Sequence, residues 1–122
     1  MAGRKTILIV DDEADIVELL TLVLEGDGRT VLRAYDGITE LALAREQHPD
    51  LVISDVMMPR LDGRELCRLI KADPELAHTR VVLMSAVHKL DLREYGEDVF
   101  IRKPFNILKM DEAVRHLLAE LS

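Results

Sequence analysis

The chain has 122 residues, 48% of them hydrophobic and 32% charged, with a formal net charge of −7. That is the size of one ordinary domain with a normal apolar fraction, which excludes two domains of usual size and argues against disorder. The acidic balance argues against direct contact with DNA or RNA, because neutralising phosphates needs a basic face.

Met1 to Lys5 is basic and leads into a first apolar run, Ile7 to Val10, which Asp11-Asp12 ends. The run is too short for a signal peptide, so a cytoplasmic protein is expected. Ile16, Leu19, Leu20, Val23 and Leu24 then follow helical spacing, and Gly26 and Gly28 close that helix. Val31 to Ala34 is a weaker apolar run. Ile38, Leu41 and Ala42 begin a second helix, which His48-Pro49 stops. Leu51 to Ile53 is a third run and leads to Asp55. Asp62-Gly63 shapes the start of a third helix marked by Leu66, Leu69 and Ile70. Val81 to Met84 leads to Ser85. The stretch from Val87 to Gly96 has poor periodicity and reads as one short helix or as loop. Val99 to Ile101 leads to Lys103. Met110, Ala113, Val114, Leu117, Leu118 and Leu121 mark a long last helix.

Short apolar runs alternating with amphipathic segments predict a parallel sheet with helices on both faces, in one unit. No apolar stretch approaches the length that spans a bilayer, so no membrane contact is expected. The lone Cys67 excludes an internal disulfide and reads as a structural or idle thiol. With two Tyr, two Phe and no Trp, the core must be aliphatic.

The informative feature is what terminates the strands. In an open parallel sheet all carboxyl ends lie on one edge, where ligands bind. Asp11, Asp12, Asp55, Ser85 and Lys103 should therefore converge. Ionised carboxylates crowded together call for a cation, and an oxygen-only site suits Mg²⁺. Lys103 and Ser85 would complete a phosphoryl cradle, and an aspartate can itself accept a phosphoryl group. Blander readings stand beside these. One of Asp11 and Asp12 should cap the first helix. Asp11, Glu13 and Asp15 faintly match a calcium loop, but Ile16 replaces its turn glycine. Asp55 could serve a turn, Ser85 a cap and Lys103 a solvated loop. His48, His78, His88 and His116 lack metal-ligand spacing and should lie on the surface. Met57 and Met58 read as loop packing.

Taken together, these residues resemble the receiver domain of two-component response regulators. Asp11-Asp12 matches the acidic pair, Asp55-Val56-Met57-Met58-Pro59 with Gly63 the phosphoacceptor motif, Ser85-Ala86 the Ser/Thr-Ala pair, and Lys103-Pro104-Phe105 the Lys-Pro-Phe motif. The resemblance implies an α/β fold, a doubly wound five-stranded parallel sheet in the flavodoxin-like order 2-1-3-4-5, as a single domain over residues 1–122. It implies that Asp55 accepts a phosphoryl group from a histidine kinase or histidine phosphotransfer protein. Asp11, Asp12, Asp55 and the Met57 carbonyl would hold Mg²⁺. Lys103 would pair with Asp55 at rest and with phosphate afterwards. Ser85 would swing toward the phosphate and Phe100 would turn inward as the switch aromatic. The readout would be a shift of the face formed by the fourth strand, the following helix and the fifth strand, passed to an effector protein or an effector domain outside this sequence. A phosphorylation-dependent dimer is a further family trait. Such a protein catalyses only its own phosphorylation and dephosphorylation.

The sequence also departs from the family. The segment between Ser85 and Lys103 is about one helical turn short, so the helix there should be short or irregular. Tyr95-Gly96-Glu97-Asp98 replaces the usual Gly-Ala-Asp, and Phe100 lacks the hydroxyl of the commoner Tyr. Met57 and Val87, both apolar, flank the acceptor and predict a long-lived phosphorylated state. A receiver-like scaffold that is never phosphorylated is the alternative function. A magnesium-dependent phosphatase would need a second acid where Met57 stands.

Overall fold

A computed structural model describes residues 4–26, 28–58, 62–86 and 98–119. The strands are β1 (Lys5–Val10), β2 (Arg29–Ala34), β3 (Leu51–Asp55), β4 (Arg80–Ser85) and β5 (Val99–Arg102). The helices are α1 (Ala14–Leu24), α2 (Gly37–Gln47), α3 (Gly63–Ala72) and α4 (Ile107–Ala119), with a 3₁₀ turn at Pro74–Leu76. All strands are parallel, in the order β2-β1-β3-β4-β5. This is the expected doubly wound sheet. The helix or loop expected over Val87 to Gly96, and Leu121, lie outside the described residues.

Alternation along the strands divides the core into two layers. Ile7, Ile9, Ile53, Val82 and Met84 pack with Val17, Leu20 and Leu24 of α1 and with Met110, Val114 and Leu117 of α4. Leu8, Val10, Val52, Val81 and Leu83 pack on the other face with Ala44 of α2 and with Cys67 and Ile70 of α3. Each fully buried Leu or Ile contributes roughly 1.5–3 kcal/mol, so β1, β3 and β4 anchor the sheet.

Local signals explain the helix ends, with two corrections. Gly26 and Gly28 take positive φ (119° and 77°) after α1, and His48 takes φ 48° to end α2 before Pro49. Asp36 caps α2 by accepting from the Thr39 amide at 2.8 Å, and Asp62 caps α3 by accepting from the Arg64 amide at 2.7 Å. Neither Asp11 nor Asp12 caps α1. Glu13 stands at that position without a side-chain cap, and Asp11 Oδ1 accepts from the Glu13 amide at 2.9 Å. The second correction concerns α2. The helix forms, but its buried residues are Gly37, Glu40 and Ala44, while Ile38 is 52% exposed. Small residues bring α2 close to the sheet, and the spacing Gly37, Glu40, Ala44 wins over the apolar residues that suggested the helix.

The amino edge of the sheet is tied by charge. Asp98 Oδ2 accepts from Lys71 Nζ at 2.8 Å and from the Val81 amide at 2.8 Å, and its Oδ1 accepts from Arg80 at 3.2 Å. Asp50 Oδ2 accepts from the Thr6 amide at 2.8 Å. Burial pushes the Asp98 carboxyl up, but Lys71, the Val81 amide and Arg80 outweigh it and hold the group below its ordinary range.

Candidate functional site

The carboxyl edge carries the residues picked out by strand termini. Strand register aligns Val10 with Ser54, Asp55 with Met84 and Ser85 with Arg102. Asp11 follows β1, Asp55 closes β3, Ser85 closes β4 and Lys103 follows β5. Carboxylate oxygens of Asp11, Asp12 and Asp55 all lie within 4.8 Å of one another. Asp11, Asp55 and Ser85 are buried, whereas Asp12 is exposed. A cleft of about 240 Å³ opens here, lined by Asp12, Glu13, Asp55, Met57, Ala86 and Lys103.

Among the described residues, Lys103 supplies the cation of this cluster. Its Nζ lies 2.6 Å from Asp11 Oδ2, 3.5 Å from Asp55 Oδ2 and 3.7 Å from Glu13 Oε1. Lys103 meets Asp55, but its nearest partner is Asp11, which lies deeper. The Lys103 amide donates to the Ser85 carbonyl at 2.8 Å, which ties β5 to the end of β4. The Lys103-Pro104 peptide is cis.

One ammonium does not balance these acids. Burial, then the charge of Asp11, lift the Asp55 carboxyl to about 6, against the pull of Lys103. Burial also raises Asp11, opposed by Lys103 and the Glu13 amide. Burial alone would lower Lys103, but Asp11 and Asp55 outweigh it and hold its ammonium above the ordinary 10.5. Hard oxygen donors, excess negative charge and an open cleft fit a divalent cation such as Mg²⁺. Asp11, Asp12 and Asp55 are the side chains able to hold it.

Met57 is 57% exposed at the cleft mouth. Phe100 is half-buried against the layer that holds Leu83 and Val81. His48, His78 and His116 lie on the surface, as expected, and His88 and Val87 lie outside the described residues.

Three features escaped the sequence reading. Glu13 reaches the Lys103 ammonium, an interaction invisible without the fold. Gly63 touches the acceptor strand: a Cβ there would sit 2.2 Å from the Asp55 carbonyl oxygen, so only glycine fits. Ser54, beside Asp55, is buried with Glu40 of α2, whose Oε1 is 3.0 Å from Ser54 Oγ. The presence of a carboxylate between the small residues Gly37 and Ala44 was the available signal.

Comparison with known proteins agrees with this geometry. The family described as response regulator receiver domain matches residues 7–115. The chain is 37% identical over 115 residues to the DNA-binding response regulator MtrA of Mycolicibacterium paratuberculosis, covering 92% of this chain and 50% of that protein. It is 41% identical over 121 residues to the response regulator GtcR of Aneurinibacillus migulanus, covering 96% of this chain and 48% of that protein. It thus spans about half the length of these relatives. Among solved structures, the signal receiver domain of a signal transduction histidine kinase from Syntrophus aciditrophicus superimposes with a TM-score of 0.87 at 32% identity, covering 99% of this chain and 93% of that one. The receiver domain of the Francisella response regulator 1452 gives a TM-score of 0.87 at 26% identity, covering 98% and 100%. Sheet order, acidic cluster, lysine and sequence kinship agree, and the chain belongs to the family of response regulator receiver domains.

Proposed function

We propose that residues 1–122 act as one phosphoacceptor switch in which Asp55 takes a phosphoryl group from a histidine kinase or histidine phosphotransfer protein. The observation that carries this reading is the convergence of Asp11, Asp12 and Asp55 with the Lys103 ammonium in one open cleft. An Asp55 carboxylate oxygen attacks phosphorus, a P–O bond forms, and the P–N bond to the donor imidazole breaks with its electron pair returning to nitrogen. Asp11, Asp12, Asp55 and the Met57 carbonyl would hold Mg²⁺, which would supply the charge neutralisation this encounter needs. Lys103 passes from Asp11 and Asp55 toward the new phosphoryl oxygens, and the Ser85 hydroxyl donates to them.

The product state favours an inward Phe100, a population shift carried by packing alone because the ring has no hydroxyl. The β4–β5 face passes the change to an effector, with the fused DNA-binding type suggested by relatives such as MtrA and a phosphorylation-dependent dimer as one form of output. Nucleic acid contact then belongs to the effector rather than to this acidic domain. Among the described residues no helix is long and apolar enough to cross a membrane, in keeping with a domain that works in the cytoplasm beside its kinase. Met57 at the cleft mouth, and Val87, cannot orient an attacking water, so the phosphorylated state is long-lived. Val87→Glu should shorten it.

The test is incubation with acetyl phosphate and Mg²⁺ followed by intact mass measurement. A phosphoryl-sized gain that disappears in Asp55→Asn is expected. No gain at saturating Mg²⁺ would favour the scaffold reading, and repeated turnover of chromogenic phosphate esters would favour a phosphatase.

A further inference from the structure

Behind the acceptor lies a buried polar pair that the phosphoryl chemistry does not use. Glu40 is 1% exposed and Ser54 is 1% exposed. Ser54 Oγ lies 3.0 Å from Glu40 Oε1 and 3.1 Å from the carbonyl oxygen of Asp55. A serine hydroxyl has one hydrogen but two lone pairs. With Glu40 ionised, Ser54 faces two acceptors and serves one. With Glu40 protonated, every contact has a donor: Glu40 to Ser54, and Ser54 to Asp55. An unsatisfied buried group costs free energy, so the complete chain is the favoured arrangement. The Asp55 carbonyl has no freedom to turn elsewhere, because Gly63 packs against it closely enough to exclude a Cβ.

We propose that Glu40 and Ser54 form a positioning relay for the phosphoacceptor, in which protonated Glu40 donates to the Ser54 hydroxyl and Ser54 donates to the Asp55 carbonyl oxygen, so that loss of the Glu40 proton turns Ser54 away from Asp55. The relay acts through the main chain of Asp55 and touches neither its carboxylate nor the phosphoryl group. Its effect on reactivity rests on the phosphoacceptor reading above, but its geometry does not.

The surroundings suit a group that works neutral. Burial drives the Glu40 carboxyl up to about 8, with only the Ser54 hydroxyl opposing. Helix α2 packs against β1, β2, α3 and the 3₁₀ turn. Asp11, which follows β1, is engaged by Lys103. On α3 the thiol of Cys67 lies in the apolar layer on this face of the sheet. On β2, Arg29 and Arg33 alternate with Leu32 and Ala34 and lie on the opposite face, and Glu75 of the turn is exposed. Asp55 titrates near 6 and Lys103 above 10.5, so neither obscures a change at Glu40.

The experiment follows two ¹³C resonances of the wild-type domain, the Glu40 carboxyl and the Asp55 carbonyl, on both sides of a midpoint near 8. The relay requires them to move with one midpoint. It also requires the Asp55 movement near 8 to vanish in Glu40→Gln, whose amide always donates, and in Ser54→Ala, leaving only the movement near 6 that the Asp55 carboxyl itself drives, while both persist in Cys67→Ala. In parallel, the rate of phosphorylation by acetyl phosphate should fall through that midpoint in wild type and hold its low-pH value in Glu40→Gln. A Glu40 carboxyl already ionised below neutral pH, or an Asp55 carbonyl that still moves with a midpoint near 8 in Glu40→Gln, would overturn the relay. If wild type takes no phosphoryl group at any pH, the phosphoacceptor reading falls, and the carbonyl titration alone decides the relay.

Discussion

The two edges of the sheet handle charge in opposite ways. At the amino edge one carboxylate, Asp98, meets Lys71, Arg80 and a backbone amide, and its ionised form is favoured. At the carboxyl edge, among the described residues, Asp11, Asp12, Asp55 and Glu13 gather around the one ammonium of Lys103, and burial lifts Asp55 and Asp11 above their ordinary range. The same kinds of residue sit at both ends of the same strands. What differs among the described residues is the ratio of acid to base, and that ratio separates an edge that favours its ionised carboxylate from one that opposes it.

Breaking each edge should therefore move stability in opposite directions. The largest effect is expected from Asp98→Ala, which leaves Lys71 and Arg80 half-buried without their carboxylate. We expect a loss of about 2–4 kcal/mol at neutral pH, read from urea unfolding midpoints. Asp98 is held below its ordinary 3.8, so its contribution is present above that value and is lost as pH falls through the lower folded value. An unchanged midpoint at neutral pH would sink the idea of a stabilising edge.

Asp55→Asn should act the other way. The folded state raises this carboxyl from 3.8 to about 6, so ionised Asp55 costs stability as pH rises across that interval and throughout neutral pH. Removing the charge in the absence of metal should stabilise by on the order of 2 kcal/mol, and the gain should vanish in acid, where the carboxyl is protonated in both states. A destabilised Asp55→Asn at neutral pH would remove the contrast between the edges.

The smallest effect sharpens the comparison by supplying the cation. Mg²⁺ at ten times its dissociation constant should raise stability by about 1.4 kcal/mol, seen as an increase in Tm. Asp98→Ala should keep this increment, whereas Asp12→Asn should lose most of it. Equal increments in all three proteins would mean that the ion acts elsewhere.

Much of this site was legible because each functional side chain sits where an apolar run ends. Periodicity located the strands, and the geometry of open parallel sheets brought Asp11, Asp55, Ser85 and Lys103 together. What could not be read depends on depth and contact. Lys103 lies closer to Asp11 than to Asp55, a choice between two carboxylates that only the folded distances reveal. Helix α2 hides Glu40 rather than Ile38 because helix and sheet meet through Gly37 and Ala44, a closeness that hydropathy does not report. Capping of α1 was misread because Asp11 bonds the Glu13 amide one residue ahead of the helix.

The fit of Gly63 against Asp55 has a mechanical meaning. Protein interiors resist compression, and the first residue of α3 rests directly on the acceptor's peptide group. Strand β3 and helix α3 therefore behave as a pushrod and its follower. A displacement of the Asp55 peptide would press directly on the start of α3, whose far end meets the Asp98 cluster through Lys71. The reactive edge and the clamped edge are thus bridged by a single helix on one face of the sheet.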